Sequence, residues 1–195
     1  MAPRKTADEV IAAAERVLGD DGIDALSVRR LADELGVSRQ IVYTHFSGMH
    51  EVLEAVHRRA GVQLADAVAT LEPPTGSDAR IVAGAHAYVD HARRRPSVFA
   101  LLFGRPVPGY VPSAETAGAL RSVFRVHIVG LVDEWSVANG HDLDRHEAVE
   151  RARVFWSAIH GLVTLEQAGH AEQGETDAMV DSLVGTMLAG WRARG

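Results

Sequence analysis

The stretch Leu26-Ser27-Val28-Arg29-Arg30-Leu31-Ala32-Asp33-Glu34-Leu35-Gly36-Val37-Ser38-Arg39-Gln40-Ile41-Val42-Tyr43-Thr44-His45-Phe46 decides how the chain is read. Ser27 offers a hydroxyl N-cap to a short helix carrying Leu31, Ala32 and Leu35, which Gly36 ends. Ser38 opens a further short helix running to about Phe46. Together with a preceding helix from Thr6, the two have the spacing of a helix-turn-helix, whose second helix enters a major groove. At about 100° per residue, Ile41, Val42, His45 and Phe46 fall on one side of that helix. Arg39, Gln40, Tyr43 and Thr44 fall on the other, each able to reach a base edge or a phosphate. No carboxylate stands among them to repel the phosphate backbone.

Outward from this stretch the chain reads as helix throughout, without strand alternation. Thr6 and Glu9 form a capping box ahead of Val10, Ile11, Ala14, Val17 and Leu18, and Gly19-Asp20-Asp21-Gly22 stops that first helix. A fourth helix begins near Met49 and carries Val52, Leu53, Val56, Leu64, Val68 and Leu71. Pro73-Pro74-Thr75-Gly76-Ser77 is the clearest break. Beyond it, helices are expected over 78–95, 97–103, 113–139, 144–169 and 176 to about 192, with an irregular loop over 104–112. The expectation is an all-α fold of about nine helices. Residues 1–48 form a three-helix reading domain, 49–72 a linking helix, and 73–195 a larger helical domain.

Composition narrows the function classes. The 195 residues are 47% hydrophobic, carry a net charge of −6 and include no cysteine, which excludes disulfides, thiolate metal sites and a cysteine nucleophile. With neither an apolar leader nor an eighteen-residue apolar run, a cytoplasmic, non-membrane protein is expected. Of the 20 basic residues 19 are Arg, which is read as coding bias and not as function. The acidic balance requires any nucleic-acid contact to be local. His86/His91 and His141/His146 are spaced five apart, which does not place two imidazoles on one helical face, so no metal or other cofactor is expected.

The quoted stretch, with its Leu35-Gly36-Val37 turn, its closing Tyr-x-His-Phe and the following Glu51-Val52-Leu53, resembles the DNA-binding domain of the tetracycline-repressor (TetR) family over 6–60. The resemblance implies a homodimer on double-stranded operator DNA. Ser27 and Arg29 would meet phosphate or a base from the supporting helix, with Ser38 opening the reading helix. Arg39 and Gln40 would read bases beside Thr44, and Tyr43 and His45 would hold phosphates or a thymine methyl. Where the family often has a Lys for a phosphate contact this chain has Met49, with His50 or the helix dipole as substitutes.

In the larger domain Trp156, His160 and Gly161 resemble a subgroup of that family named for a Trp-His-Gly motif. Trp156 and His160 are four apart and share a helical face. His160 is read either as a core histidine bonded to a backbone carbonyl or as facing a ligand. His127 is read first as a core imidazole beside Phe124 and Leu131, with a ligand-facing role as the alternative. Tyr88, Phe99, Phe103, Phe124 and Trp156 are candidate walls of an apolar pocket for a hydrophobic or aromatic effector. By the same resemblance the last two helices, with Ala152, Gly161, Ala168, Gly185 and Ala189, pair with their copies across a two-fold axis.

Three functions compete. The first is a repressor released from a pseudo-palindromic operator by a small molecule. The second is a helical enzyme, opposed by the lack of GxSxG, P-loop, Rossmann or HExxH patterns. The third is a DNA-bound regulator whose pocket is filled by its own side chains.

Overall fold

The structure is a computed structural model describing residues 5–104 and 106–193. Among these residues there is no strand, and nine α-helices follow one another. They are α1 (Ala7–Asp20), α2 (Val28–Leu35), α3 (Arg39–Tyr43), α4 (Met49–Ala69), α5 (Asp78–Arg94), α6 (Pro96–Phe103), α7 (114–138), α8 (Arg145–Gln167) and α9 (Gln173–Ala193). A short 3-10 turn, Ile23–Ala25, precedes α2 and has no counterpart in the sequence reading.

Local chemistry sets the ends of these helices. Thr6 accepts from Glu9 N–H at 3.2 Å while Glu9 accepts from Thr6 N–H at 2.8 Å, closing the capping box of α1. Ser27 accepts from Arg30 N–H at 3.1 Å to start α2. Gly36, at φ +65°, turns the chain so that Val37 N–H reaches Ala32 O. Pro96 lies at the start of α6, where its missing N–H costs nothing. Gly76, at φ +78°, is required for space as well as conformation, since a Cβ there would lie 2.9 Å from the Glu134 carbonyl oxygen.

Helix α7 departs most from a regular pattern. Ala114–Val123 and Gly130–Ala138 are α-helical, but Phe124–Val129 between them is a π-helical segment. Its wider turn delays the rotation of successive side chains. Ile128, Val129, Leu131 and Val132 are buried, while Val126 is turned out to solvent.

The chain forms two compact units. The first comprises 5–62 with the chain from Arg95 to Leu120, and the second 63–94 with 121–193. In the first, Val10, Ala14, Val17, Leu18, Leu31, Val42, Phe46, Val52 and Val56 make one apolar core, with Val98, Leu101 and Leu102 of α6 added to it. Arg16 and Arg30 both bind Glu34 at 3.0 Å, and Arg30 also reaches Asp21, fastening α1 to α2.

In the second unit, Ile81, Val89, Val132, Trp135, Phe155, Ile159, Val180, Val184 and Trp191 are buried together. The Trp135 indole N–H donates to Asp78 Oδ1 at 2.8 Å, and Arg192 pairs with the same carboxylate. Arg93 holds Glu166 through two bonds of 2.7 Å and Asp177 at 2.8 Å, joining α5 to the end of α8 and the start of α9. Hydrogen bonds from Arg93 keep the Glu166 carboxyl below the ordinary value.

A depressed carboxyl stabilises the fold above its unfolded pKa and loses that contribution as pH falls through the folded one. The melting temperature of the native protein should therefore exceed that of Glu166→Gln at pH 7. The gap should close as pH falls below about 4, the ordinary Glu range; a gap independent of pH down to 3 would contradict this.

Candidate functional site

Helix α3 has only five residues, and what it presents is decided by what it buries. Val42 is 1% exposed and Phe46 8%, both in the core of the first unit, with Ile41 and His45 half-buried beside them. Arg39, Gln40, Tyr43 and Thr44 are all exposed on the opposite side. Ser27, Arg29 and Ser38 are exposed as well. The Arg29 side chain is 76% exposed, and its nearest carboxylate, Asp33, stands 3.9 Å away. The face of Arg39, Gln40, Tyr43 and Thr44 therefore lies open to solvent.

Two residues of this region have other engagements. Thr44 Oγ1 donates to Ile41 O at 2.6 Å. The His45 ring, expected on the DNA backbone, places Nε2 2.7 Å from Lys5 O and so ties the start of the chain to the end of the α3 turn. No pattern in the sequence signals a contact spanning 40 positions. Met49 packs half-buried against the head core, whereas His50 is exposed with its ring 5.4 Å from Tyr110.

The second unit brings four of the aromatic and imidazole candidates together. The Phe124 ring meets Trp156 edge-on at 5.7 Å, and Trp156 lies 5.6 Å from the His160 ring. Trp156 Nε1–H donates to the Tyr88 hydroxyl at 3.1 Å, and that hydroxyl stands 2.9 Å from His160 Nδ1. An indole N–H can only donate, so the Tyr88 oxygen accepts from it, while the direction of the Tyr88–His160 bond follows the imidazole tautomer. Burial pushes the Tyr88 phenol well above its ordinary pKa and lowers that of His160, keeping both neutral. The His160 reading as a core histidine bonded to a backbone carbonyl is replaced, at Nδ1, by a bond to Tyr88.

His127 is half-buried on the π-helical segment of α7. Phe99 and Phe103 belong to the first unit, where their rings lie 4.7 Å apart on α6. Among the described residues, no group of three His, Asp or Glu side chains is placed to hold a metal ion. No helix among them is long and apolar enough to cross a membrane.

Three packed helices with a short third one, its polar face open, define a helix-turn-helix DNA-binding protein. Comparisons give the particular family. Residues 10–56 match the model of bacterial regulatory proteins of the tetR family, and residues 81–187 match a tetracyclin repressor-like C-terminal domain. The chain belongs to the tetracycline-repressor family of transcriptional regulators and is not an enzyme.

An uncharacterized HTH-type transcriptional regulator of Mycobacterium tuberculosis is 28% identical, covering 96% of this chain and 82% of the relative. An uncharacterized HTH-type regulator of Bacillus subtilis, YobS, is 24% identical over 85% of this chain and 82% of its own. A solved protein of unknown function from Rhodococcus sp. RHA1 superposes with a TM-score of 0.81 at 27% identity, covering 97% of this chain and 98% of that one.

The hydrogen-bond order in the Tyr88 cluster is open to direct measurement. Long-range proton–nitrogen correlation spectra should show His160 neutral and in a single tautomer at pH 6.5. Tyr88→Phe should abolish that single-tautomer state. A native ring that is charged, or mixed between tautomers, would contradict the reading.

Proposed function

We propose that the protein is a homodimeric repressor that holds a pseudo-palindromic operator and releases it when a small apolar or aromatic molecule engages the second unit. The observation that carries the reading is the face of α3. Arg39, Gln40, Tyr43 and Thr44 stand in solvent on the side opposite buried Val42 and Phe46. In this reading Arg39 and Gln40 meet base edges. Ser27, Arg29, Ser38, Tyr43 and Thr44 position the head on phosphates, and His45 holds the turn in place.

Dimerisation through α8 and α9 is supported by what the monomer leaves uncovered. Val154 is 54% exposed and Leu165 45% exposed on α8. A Cβ added at Gly161 or Gly185 would meet nothing within 4 Å, so packing inside the chain does not explain either glycine. Small residues on two exposed helices suit the close approach of a second copy.

The effector reading rests on Trp156 and His160 bonded to Tyr88, with Phe124 against Trp156 and His127 half-buried on α7. Most of this wall is aromatic, and the two polar groups with assigned bonds, Tyr88 and His160, are neutral. That composition suits an uncharged or weakly polar aromatic body. One observation favours the effector-free alternative: Tyr88 is 3% exposed and its hydroxyl already has two partners inside the chain.

Three measurements check these readings. On an operator duplex selected from a random library, Arg39→Ala should lose ~1–3 kcal/mol of affinity and relax preference at one position per half-site. Arg29→Ala should instead weaken all duplexes alike and reduce the salt dependence. Unchanged affinity and preference in Arg39→Ala would remove α3 as the reader. Sedimentation should show a dimer that Gly161→Leu with Gly185→Leu converts to a folded monomer; a native monomer would overturn the symmetric reading. A panel of aromatic compounds should include at least one that both raises the melting temperature and releases the operator. If none does, the effector-free regulator stands in its place.

A further inference from the structure

His50, Glu54 and His57 stand at i, i+4 and i+7 on α4 and share one face of it. They and the groups around them all lie in the first unit. The link between α6 and α7, with Pro106, Pro108 and Pro112, meets that face at Tyr110. Tyr110 is 7% exposed, and its ring lies edge-on to His50 at 5.4 Å and tilted to His57 at 6.4 Å. Three positions on, Ser113 donates to Glu54 from its N–H at 2.6 Å and from its hydroxyl at 2.8 Å. The Thr116 hydroxyl donates to the same carboxylate. Residues 110–116 are thus seated on α4 by one aromatic ring and by bonds to one buried acid.

His57 is the unsatisfied member of this stripe. It is 3% exposed, and neither ring nitrogen has a hydrogen-bond partner; the buried Tyr110 hydroxyl has none either. Such a ring is tolerated while neutral, but its cation would bury a charge and two N–H donors without an acceptor. Glu54 is the charged group that acts on it, and the oxygens of Glu54 already serve Ser113 and Thr116. Arg58 donates to Thr116 Oγ1 at 3.1 Å and offers no acceptor, and His50 is exposed with Nε2 3.9 Å from Glu54. Helix α6 carries no ionisable side chain, and Asp8 and Glu15 of α1 face Arg59. Burial lowers the pKa of His57, which Glu54 only partly opposes. Burial pushes the Glu54 carboxyl up, but the bonds from Thr116 and Ser113 outweigh it and hold the group below its ordinary value. Burial pushes the Tyr110 phenol up to about 12. Among these buried groups, His57 is therefore the one that changes charge as the solution turns mildly acidic.

We propose that His57 is an acid-sensitive latch within the first unit: neutral, it lets Tyr110 and Ser113 seat residues 110–116 on α4, and its protonation releases them. Two routes relieve the new charge, and both undo the seat. Water reaches the ring once Tyr110 lifts away, or Glu54 turns from Ser113 and Thr116 to the imidazolium. The released form binds a proton with ordinary histidine affinity, while the seated form resists it. Release therefore gains as pH falls through about 6.5 and is suppressed above it. From pH 7.5 to 5.5 the released fraction should rise about tenfold. The latch belongs to the free chain and depends on neither the operator nor the effector reading.

Amide hydrogen exchange in the full-length chain tests this, with each rate taken relative to the intrinsic rate at the same pH. Protection at Tyr110, Ser113 and Thr116 should fall about tenfold between pH 7.5 and 5.5, while Leu31 of α2 keeps its protection. His57→Phe, which fills the site with a ring that cannot titrate, should abolish the pH response and leave the segment seated. His50→Gln should keep the response. A native chain without the response, or one whose response survives in His57→Phe, overturns the proposal. Loss of the response in His50→Gln also overturns it, by moving the switch to the exposed imidazole. If His57→Phe does not fold, His57→Gln is read in its place.

The native chain also gives a readout that needs no substitution. In ring-labelled protein followed by NMR, His57 should take up its proton below the ordinary histidine range and in step with the released population of residues 110–116. A ring that stays neutral while the segment opens, or that charges while the segment stays seated, contradicts the latch.

Discussion

A five-residue helix cannot hold its own shape in water, because nucleation costs more than its few hydrogen bonds return. The orientation of α3 is therefore borrowed from the burial of Val42 and Phe46 in the core shared with α1, α2 and α4. Each buried side chain contributes about 1.5–3 kcal/mol by leaving water, which offsets part of the roughly 1–2 kcal/mol per residue that ordering the turn costs. The same burial fixes the opposite face outward. Arg39, Gln40, Tyr43 and Thr44 need no interaction of their own to be presented, only the absence of one. Around this anchor the remaining polar bonds are braces: Arg16 and Arg30 on Glu34, Arg59 on Asp8, and His45 on Lys5.

In the second unit the limiting requirement is different. A phenol, an indole N–H and an imidazole come together in a region that is largely dry, where an unpaired polar atom would cost about 1–3 kcal/mol. The Trp156 N–H donates to the Tyr88 oxygen, which is bonded in turn to His160 Nδ1. Burial keeps Tyr88 and His160 neutral side by side, which suits an apolar visitor better than a charged one. Ionic contacts sit elsewhere in the unit, where Arg93 and Arg192 tie helix ends together.

Much of the architecture was legible in sequence because it is written locally. Capping residues such as Thr6 and Ser27, and Gly36 with its positive φ, act within four positions of themselves. The helical count and the two faces of α3 follow from them. What escaped was non-local or departed from the 3.6 period. Reading Phe124, His127, Leu131 and Trp135 as one stripe extrapolated a regular helix through a π-helical segment, where the rotation per residue is smaller. The sequence places helix α6 inside the larger domain over 73–195, yet Val98, Leu101 and Leu102 join the apolar core of the first unit. Glu54 carries no signal in the sequence, since its partners Ser113 and Thr116 lie 59 and 62 positions away.

The most direct measurement of the central claim maps the DNA onto the protein surface itself. Isotope-labelled protein, titrated with a selected operator duplex, should show backbone and side-chain shifts concentrated at Ser27, Arg29 and the 38–44 segment. Buried Val42 should move only through its neighbours, and the outer faces of α8 and α9 should not respond. Shifts confined to surfaces other than α2 and α3, with the amides of Arg39, Gln40 and Tyr43 unmoved at saturation, would contradict the account.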